Sequence, residues 1–293
     1  MRFLASVVVV AATWACVSAA GGRVALEPRP IVVLVHGRGQ FGLDSAQLRR
    51  EWLVDLDTAL SRVGMPALSP ADVRLAWYAD ALGPDSTYAC APRVAMAGVA
   101  GESVDIRDLA SGFLNFIASA AGEDTRELRG LVGETMYVLD SRSRCAAEAR
   151  VGRVIRAAAR EGRPVIVVAY SLGSLVTYGF LQHADSLANI RLVTVGSPLA
   201  LRPVREIIFG ESAGSLRVPT SVTSWENVYD GADVLAGPLS GQVSSDMLRD
   251  RATHADSTED AHAIVRYFRD RATGEALKDA ICAVAPQYGS CPR

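Results

Sequence analysis

Ser171 stands in the pentapeptide Ala169-Tyr-Ser-Leu-Gly173, directly after the apolar run Val165-Ile-Val-Val168 and before a helix-compatible segment. A serine at so sharp a strand-to-helix turn holds its hydroxyl above the sheet edge. The residues two before and two after it must be small for the turn to close. Ala169 and Gly173 meet that demand. The turn also aims the first backbone N–H of the next helix, that of Leu172, at any charge developing beside the hydroxyl, and the helix dipole adds to the effect. The chemistry open to such a serine is nucleophilic attack on a carbonyl carbon.

Attack needs a base, and the base needs an acid to orient it. The chain has four histidines. His36 precedes a glycine-rich loop and reads as its structural partner. His183 lies near the end of the segment after Ser171, and His262 falls within an expected helix over 258–271. His254 lies in the polar stretch Arg251-Ala-Thr-His254-Ala-Asp256, just before that helix, with Asp256 or Ser257 as its cap. His254 is therefore the expected base. Asp230-Gly-Ala-Asp233-Val-Leu235, the turn after the strand candidate 220–229, holds two aspartates, Asp230 and Asp233, whose ordinary place would be a solvated turn.

A second glycine-rich turn follows Ile31-Val-Val-Leu-Val35: His36-Gly37-Arg38-Gly39. Gly37, Gly39 and Gly42 also fit the spacing of a dinucleotide-binding turn. That reading needs an acidic residue about 20 positions on, at the end of the next strand. Asp55 and Asp57 have the spacing but fall inside a helical pattern over 45–63, and Asp80 comes too late.

The order Ser171, Asp233, His254, the small-x-Ser-x-Gly turn and the His-Gly-x-Gly loop together resemble the alpha/beta-hydrolase superfamily. The likeness is to its secreted lipase- and esterase-like serine hydrolases, over residues 30–272. It implies Asp233 as the triad acid, ahead of Asp230, and His254 as general base. It implies the backbone N–H groups of Arg38 and Leu172 as oxyanion donors, and Gly196-Ser-Pro198 as a loop near the site. Ala169 replaces the glycine usual in the family. The activity implied is cleavage of a carboxylic ester through an acyl-enzyme, with no metal or organic cofactor. The partner would be a small-molecule or lipid ester, with a lipid interface as a candidate transient contact. Acyltransferase, thioesterase and peptidase chemistry use the same triad, and a non-catalytic binding protein can be built on the same scaffold.

The elements that must position these residues read along the chain as strand 31–35, helix 45–63, strand 73–78, helix 145–161, strand 164–170, helix 172–184, strand 190–196, strand 220–229, helix 258–271 and a last helix near 274–283. Strands alternating with helices predict an α/β fold with a doubly wound, mainly parallel sheet. Residues 80–144 form an expected cap insertion, in which 105–120 has the spacing of an amphipathic helix that could serve as a lid or pack on the core. The 293 residues, 49% hydrophobic, suffice for one such domain over 20–293. A net charge of −2 with no basic stripe argues against nucleic acid as a partner.

The amino terminus reads as an export signal over 1–19: Arg2, an apolar stretch from Phe3 to Ala15, then Val17-Ser-Ala19. An uncleaved anchor and a lipoprotein lipidated at Cys16 are the alternatives. Removing 1–19 leaves four cysteines, an even number that in an exported protein predicts two disulfides, Cys282–Cys291 and Cys90–Cys145. Their scatter fits no zinc pattern.

Overall fold

The computed structural model describes residues 29–82, 137, 140–209, 216–243, 245–253 and 260–291. The expected export signal, Cys16, Cys90, the candidate lid 105–120, most of the cap insertion and His254 lie outside the described residues.

The fold is α/β, built on a six-stranded, all-parallel sheet. Strands β1 (Ile31–Val35), β2 (Val73–Ala76), β3 (Val165–Tyr170), β4 (Ile190–Val195), β5 (Val222–Tyr229) and β6 (Leu248–Ala252) lie in the order β2-β1-β3-β4-β5-β6. In β1 and β3 every residue is buried, as a run of branched apolar side chains demands when both faces are covered. Alternate residues feed two cores. Ile31, Val33, Val35, Val165 and Val167 pack beneath α2 (Ser141–Ala159) and α3 (Leu172–Leu181), whereas Val32, Leu34, Ile166 and Val168 face α1 (Ser45–Arg62), α5 (Ile264–Arg269) and α6 (Arg271–Cys282).

Local chemistry sets the helix starts. Asp44 caps α1 by accepting from Ala46 N at 2.8 Å, and Asp140 caps α2 through Arg142 N and Ser143 N. Leu48, Trp52, Leu56 and Leu60 then recur every fourth residue of α1 and form its buried stripe. Helix α6 seats against α1 at Gly274, where a Cβ would lie 2.3 Å from the Ala59 carbonyl oxygen.

Four elements depart from expectation. Helix α4 (Arg202–Phe209) and strand β6 were not foreseen. The sequence of β6, Leu-Arg-Asp-Arg-Ala, lacks alternation because it is an edge strand whose charges are paired. Arg251 meets Glu226 at 2.7 Å, and Asp250 accepts from Asn227 Nδ2 and from the backbone N–H groups of Leu239 and Ser240. The single helix expected over 258–271 is instead a turn through Asp260–Ala263, the short α5, and a fresh start of α6 capped by Asp270. Helix α2, expected from 145, begins instead at Ser141, drawn back by the Asp140 cap.

Cys282 and Cys291 form the expected disulfide. Cys145 is also disulfide-bonded. Among the described residues no helix is long and apolar enough to cross a membrane.

Candidate active site

Strand β1 is flanked by β2 on one side and β3 on the other, so the chain reverses its direction of travel across the sheet between β1 and β3. A crevice opens at such a switch point, outside the carboxyl ends of the strands. The loop after β1 and the turn after β3 are its two lips.

At the turn, Ser171 takes φ 51° and ψ −127°, a conformation costing on the order of 1–3 kcal/mol for a residue with a side chain. Its surroundings over-determine it. The Ser171 N–H donates to Val195 O at 2.9 Å, and the Ser171 carbonyl accepts from Ser174 N at 2.8 Å and Ser174 Oγ at 2.6 Å. Ser174 Oγ also meets Ser197 Oγ at 2.7 Å, which ties in the Gly196-Ser-Pro198 loop. Gly173 is required by close approach: a Cβ there would lie 2.4 Å from the His36 carbonyl oxygen and 2.7 Å from that of Val35. A Cβ on Gly37 would come within 3.1 Å of Ser171 Cβ, so the Gly37-Arg38 segment lies directly against the serine.

The imidazole at Ser171 belongs to His262. Its Nε2 lies 2.8 Å from Ser171 Oγ, and its Nδ1 lies 2.7 Å from Asp233 Oδ2. This replaces the expectation of His254. The rule behind that expectation, a histidine in the loop before the late helix, holds, but the helix starts at Ile264. The N-cap of this helix, Ala263, makes no side-chain cap bond, so no capping polarity marks its start. The turn, with Asp260 at φ 45°, therefore runs further down the chain than its polarity suggests and carries His262 to the serine.

Of the two candidate acids, Asp233 reaches the imidazole. It is 4% exposed, and its second oxygen accepts from Leu235 N at 2.9 Å. Burial pushes its carboxyl upward, but His262, the Tyr267 hydroxyl and the Leu235 N–H outweigh this and hold it below the usual range. Asp230 accepts from Ala232 N and pairs with Arg266 at 3.5 Å, so it shapes the turn.

Two tyrosines absent from the sequence reading complete the site. Tyr170, the residue before the serine, donates its hydroxyl to the His262 carbonyl and lays its ring over the imidazole at 5.4 Å between centroids. Tyr267 donates to Asp233 Oδ2 at 2.7 Å. Neither could be singled out from the sequence, since each also serves as a core side chain with ordinary periodicity.

His36 is structural, as its position suggests. It donates from Nδ1 to the Gly37 carbonyl at 2.8 Å and accepts from Tyr78 N at Nε2, 3.1 Å away. Its ring stacks on Tyr78 at 4.0 Å. Burial disfavours the imidazolium and holds its pKa down to about 4, against the smaller upward pull of the Gly37 carbonyl and Asp80. His183 is exposed at the end of α3.

A cleft of about 510 Å³ opens from His262 along the loop after β1. Phe41, Leu43, Ile264 and Tyr170 give it apolar surface, and Arg38, Gln47 and Glu51 line it too. The acids that a dinucleotide would need are engaged elsewhere: Asp55 pairs with Arg269 at 2.7 Å, Asp57 accepts from Leu68 N, and Asp80 pairs with Arg150. Among the described residues no cluster could hold a metal ion.

No family model matches the chain, and no curated protein or solved structure matches it at a significant level.

Proposed function

We propose that this protein is a serine hydrolase that cleaves carboxylic esters, with Ser171 as nucleophile, His262 as general base and Asp233 as the acid that orients it. The observation that carries the proposal is the unbroken hydrogen-bonded chain from Ser171 Oγ to His262 Nε2 (2.8 Å) and from His262 Nδ1 to Asp233 Oδ2 (2.7 Å). The strained turn at Ser171, set at the switch point of a parallel sheet, supports it further.

In this mechanism His262 takes the hydroxyl proton as Ser171 Oγ attacks the ester carbonyl. Asp233 fixes the tautomer with Nδ1 protonated and stabilises the imidazolium that forms. The backbone N–H groups of Arg38 and Leu172 face the carbonyl oxygen as it becomes an oxyanion, each worth about 3 kcal/mol in such sites. His262 then returns the proton to the leaving alcohol. A water, activated by the same imidazole, hydrolyses the acyl-enzyme. The apolar surface of Phe41, Leu43 and Ile264 in the cleft favours an ester with a hydrophobic portion. The Cys282–Cys291 disulfide favours an exported protein, since such bonds persist in oxidising compartments.

The test is covalent labelling of the purified protein with a fluorophosphonate. Wild type and His254→Ala label alike, whereas Ser171→Ala abolishes labelling and His262→Ala slows it by about 1,000-fold or more. Folded wild type that stays unlabelled, in buffer and at a lipid interface, overturns the serine-hydrolase reading. A His254→Ala variant that loses labelling while His262→Ala keeps it overturns the assignment of the base.

A further inference from the structure

Asp233 Oδ2 accepts two hydrogen bonds, from His262 Nδ1 and from the Tyr267 hydroxyl, both at 2.7 Å. The phenol oxygen in turn accepts from Asp230 N at 3.0 Å, so the hydroxyl acts as both donor and acceptor, with its proton committed to Asp233. The fold, not the carboxylate, sets the ring's position. Tyr267 is 1% exposed, its carbonyl accepts from Thr273 Oγ1 at 2.6 Å, and its ring edge lies where a Cβ on Gly196 would come within 3.0 Å. A phenylalanine would fill the same space. Only the contacts to Asp233 and Asp230 N need the oxygen.

We propose that Tyr267 is a positioning residue that tunes the proton affinity of His262 by sharing the carboxylate oxygen on which the imidazole rests. A hydroxyl donated to Oδ2 draws off part of the negative charge that His262 would otherwise feel, so the imidazolium gains less than an unshared carboxylate would give it. The same bond fixes the carboxylate, whose second oxygen is held by Leu235 N. Burial and the neighbouring Asp233 push the phenol's own ionisation far above its ordinary range, so Tyr267 keeps its proton and remains a donor to Asp233. Among the described residues, the other charged groups around the imidazole are Asp260 on its own turn, the Asp230–Arg266 pair beside the acid, and Arg38, Asp44 and Glu51 along the cleft. The change Tyr267→Phe adds or removes no charge among them and touches only Asp230, whose N–H loses its acceptor.

The inference rests on the triad described above, but its test does not require activity. The protonation midpoint of His262 is read by NMR from its imidazole Cε1–H, assigned with a His262→Gln variant, in wild type and in Tyr267→Phe. The expected result is a midpoint raised by about half a pH unit or more in Tyr267→Phe. Replacement of Tyr267 by a fluorotyrosine, a stronger donor of nearly the same size, moves it the other way. Fluorophosphonate labelling of Tyr267→Phe follows the same displacement in its acid limb and is about tenfold slower at its plateau. An unmoved midpoint in both variants overturns the proposal, even if labelling slows, because slower labelling alone is what loosened packing produces. Should Tyr267→Phe fail to fold, the direction of the fluorotyrosine displacement decides. Wild type that never labels but shows the displaced midpoints would sink the hydrolase reading and leave this inference standing.

Discussion

Acid should weaken this fold through His36 before it protonates the bulk of the carboxylates. In the folded protein burial holds the His36 pKa at about 4, whereas an unfolded histidine titrates near 6.5. Between those values the unfolded chain binds the extra proton and the native one does not, so stability rises with pH across the window. The contribution is complete above pH 6.5, is lost as pH falls toward 4, and loses nothing more below. At about 1.4 kcal/mol per pH unit the full contribution is about 3 kcal/mol, of which about 2 kcal/mol is gone at pH 5. The geometry gives the reason. Nε2 accepts from Tyr78 N, so an added proton there would face another donor inside the core. The assay is urea unfolding from pH 4 to 8 for wild type and His36→Gln, which keeps an acceptor within reach of Tyr78 N but cannot titrate. The difference in unfolding free energy between the two should shrink by about 2 kcal/mol from pH 7 to pH 5, with the carboxylates cancelling out. A difference that stays level over that range would refute the argument.

Three further outcomes follow from named contacts. Gly173→Ala forces a Cβ onto two backbone carbonyl oxygens that cannot swing aside, so it should cost about 3 kcal/mol or more in urea unfolding and abolish labelling of Ser171; wild-type labelling would contradict the packing argument. Tyr170→Phe removes the hydroxyl that holds the His262 carbonyl, so it should lose about 1 kcal/mol of stability and slow labelling several-fold at every pH, leaving the pH profile in place. Joint replacement of Cys282 and Cys291 by alanine opens a loop with a sequence separation of 9 and should lower the unfolding free energy by about 2.5 kcal/mol, while reducing agent should leave that difference no larger.

The parts of the site that obey local rules were legible in the sequence. A buried apolar run followed by Ala-Tyr-Ser-Leu-Gly fixes a strand, a turn and a helix within a dozen residues, and β3 and α3 occupy that place. The Asp230–Leu235 turn was legible for the same reason, though only tertiary contacts separate Asp233, beside His262, from Asp230, paired with Arg266. His262 was misread because helix starts are inferred from capping polarity, and α5 begins on Ala263 without a side-chain cap. Strand β6 was missed because its polarity is balanced by partners that are distant in sequence, Glu226 and Asp279. Tyr170 and Tyr267 are recognisable only once three loops meet, since nothing in local spacing tells a packed ring from one whose hydroxyl is in use.

Asp250 binds the edge of the sheet to the segment that follows the acid turn, through Leu239 N and Ser240 N, while Asn227 on the neighbouring strand bonds the same carboxylate. Peeling of β6 would break these bonds together and free the chain between Gly237 and Val243. Edge strands exchange their amide hydrogens by such sub-global openings, at a free energy below that of complete unfolding. The exposed border of the sheet and the order of the segment leading away from Asp233 therefore belong to one cooperative unit. Amides of residues 239–240 and 248–252 should exchange in step, and heat should silence the serine while the β1–β3–β4 centre of the sheet is still protected.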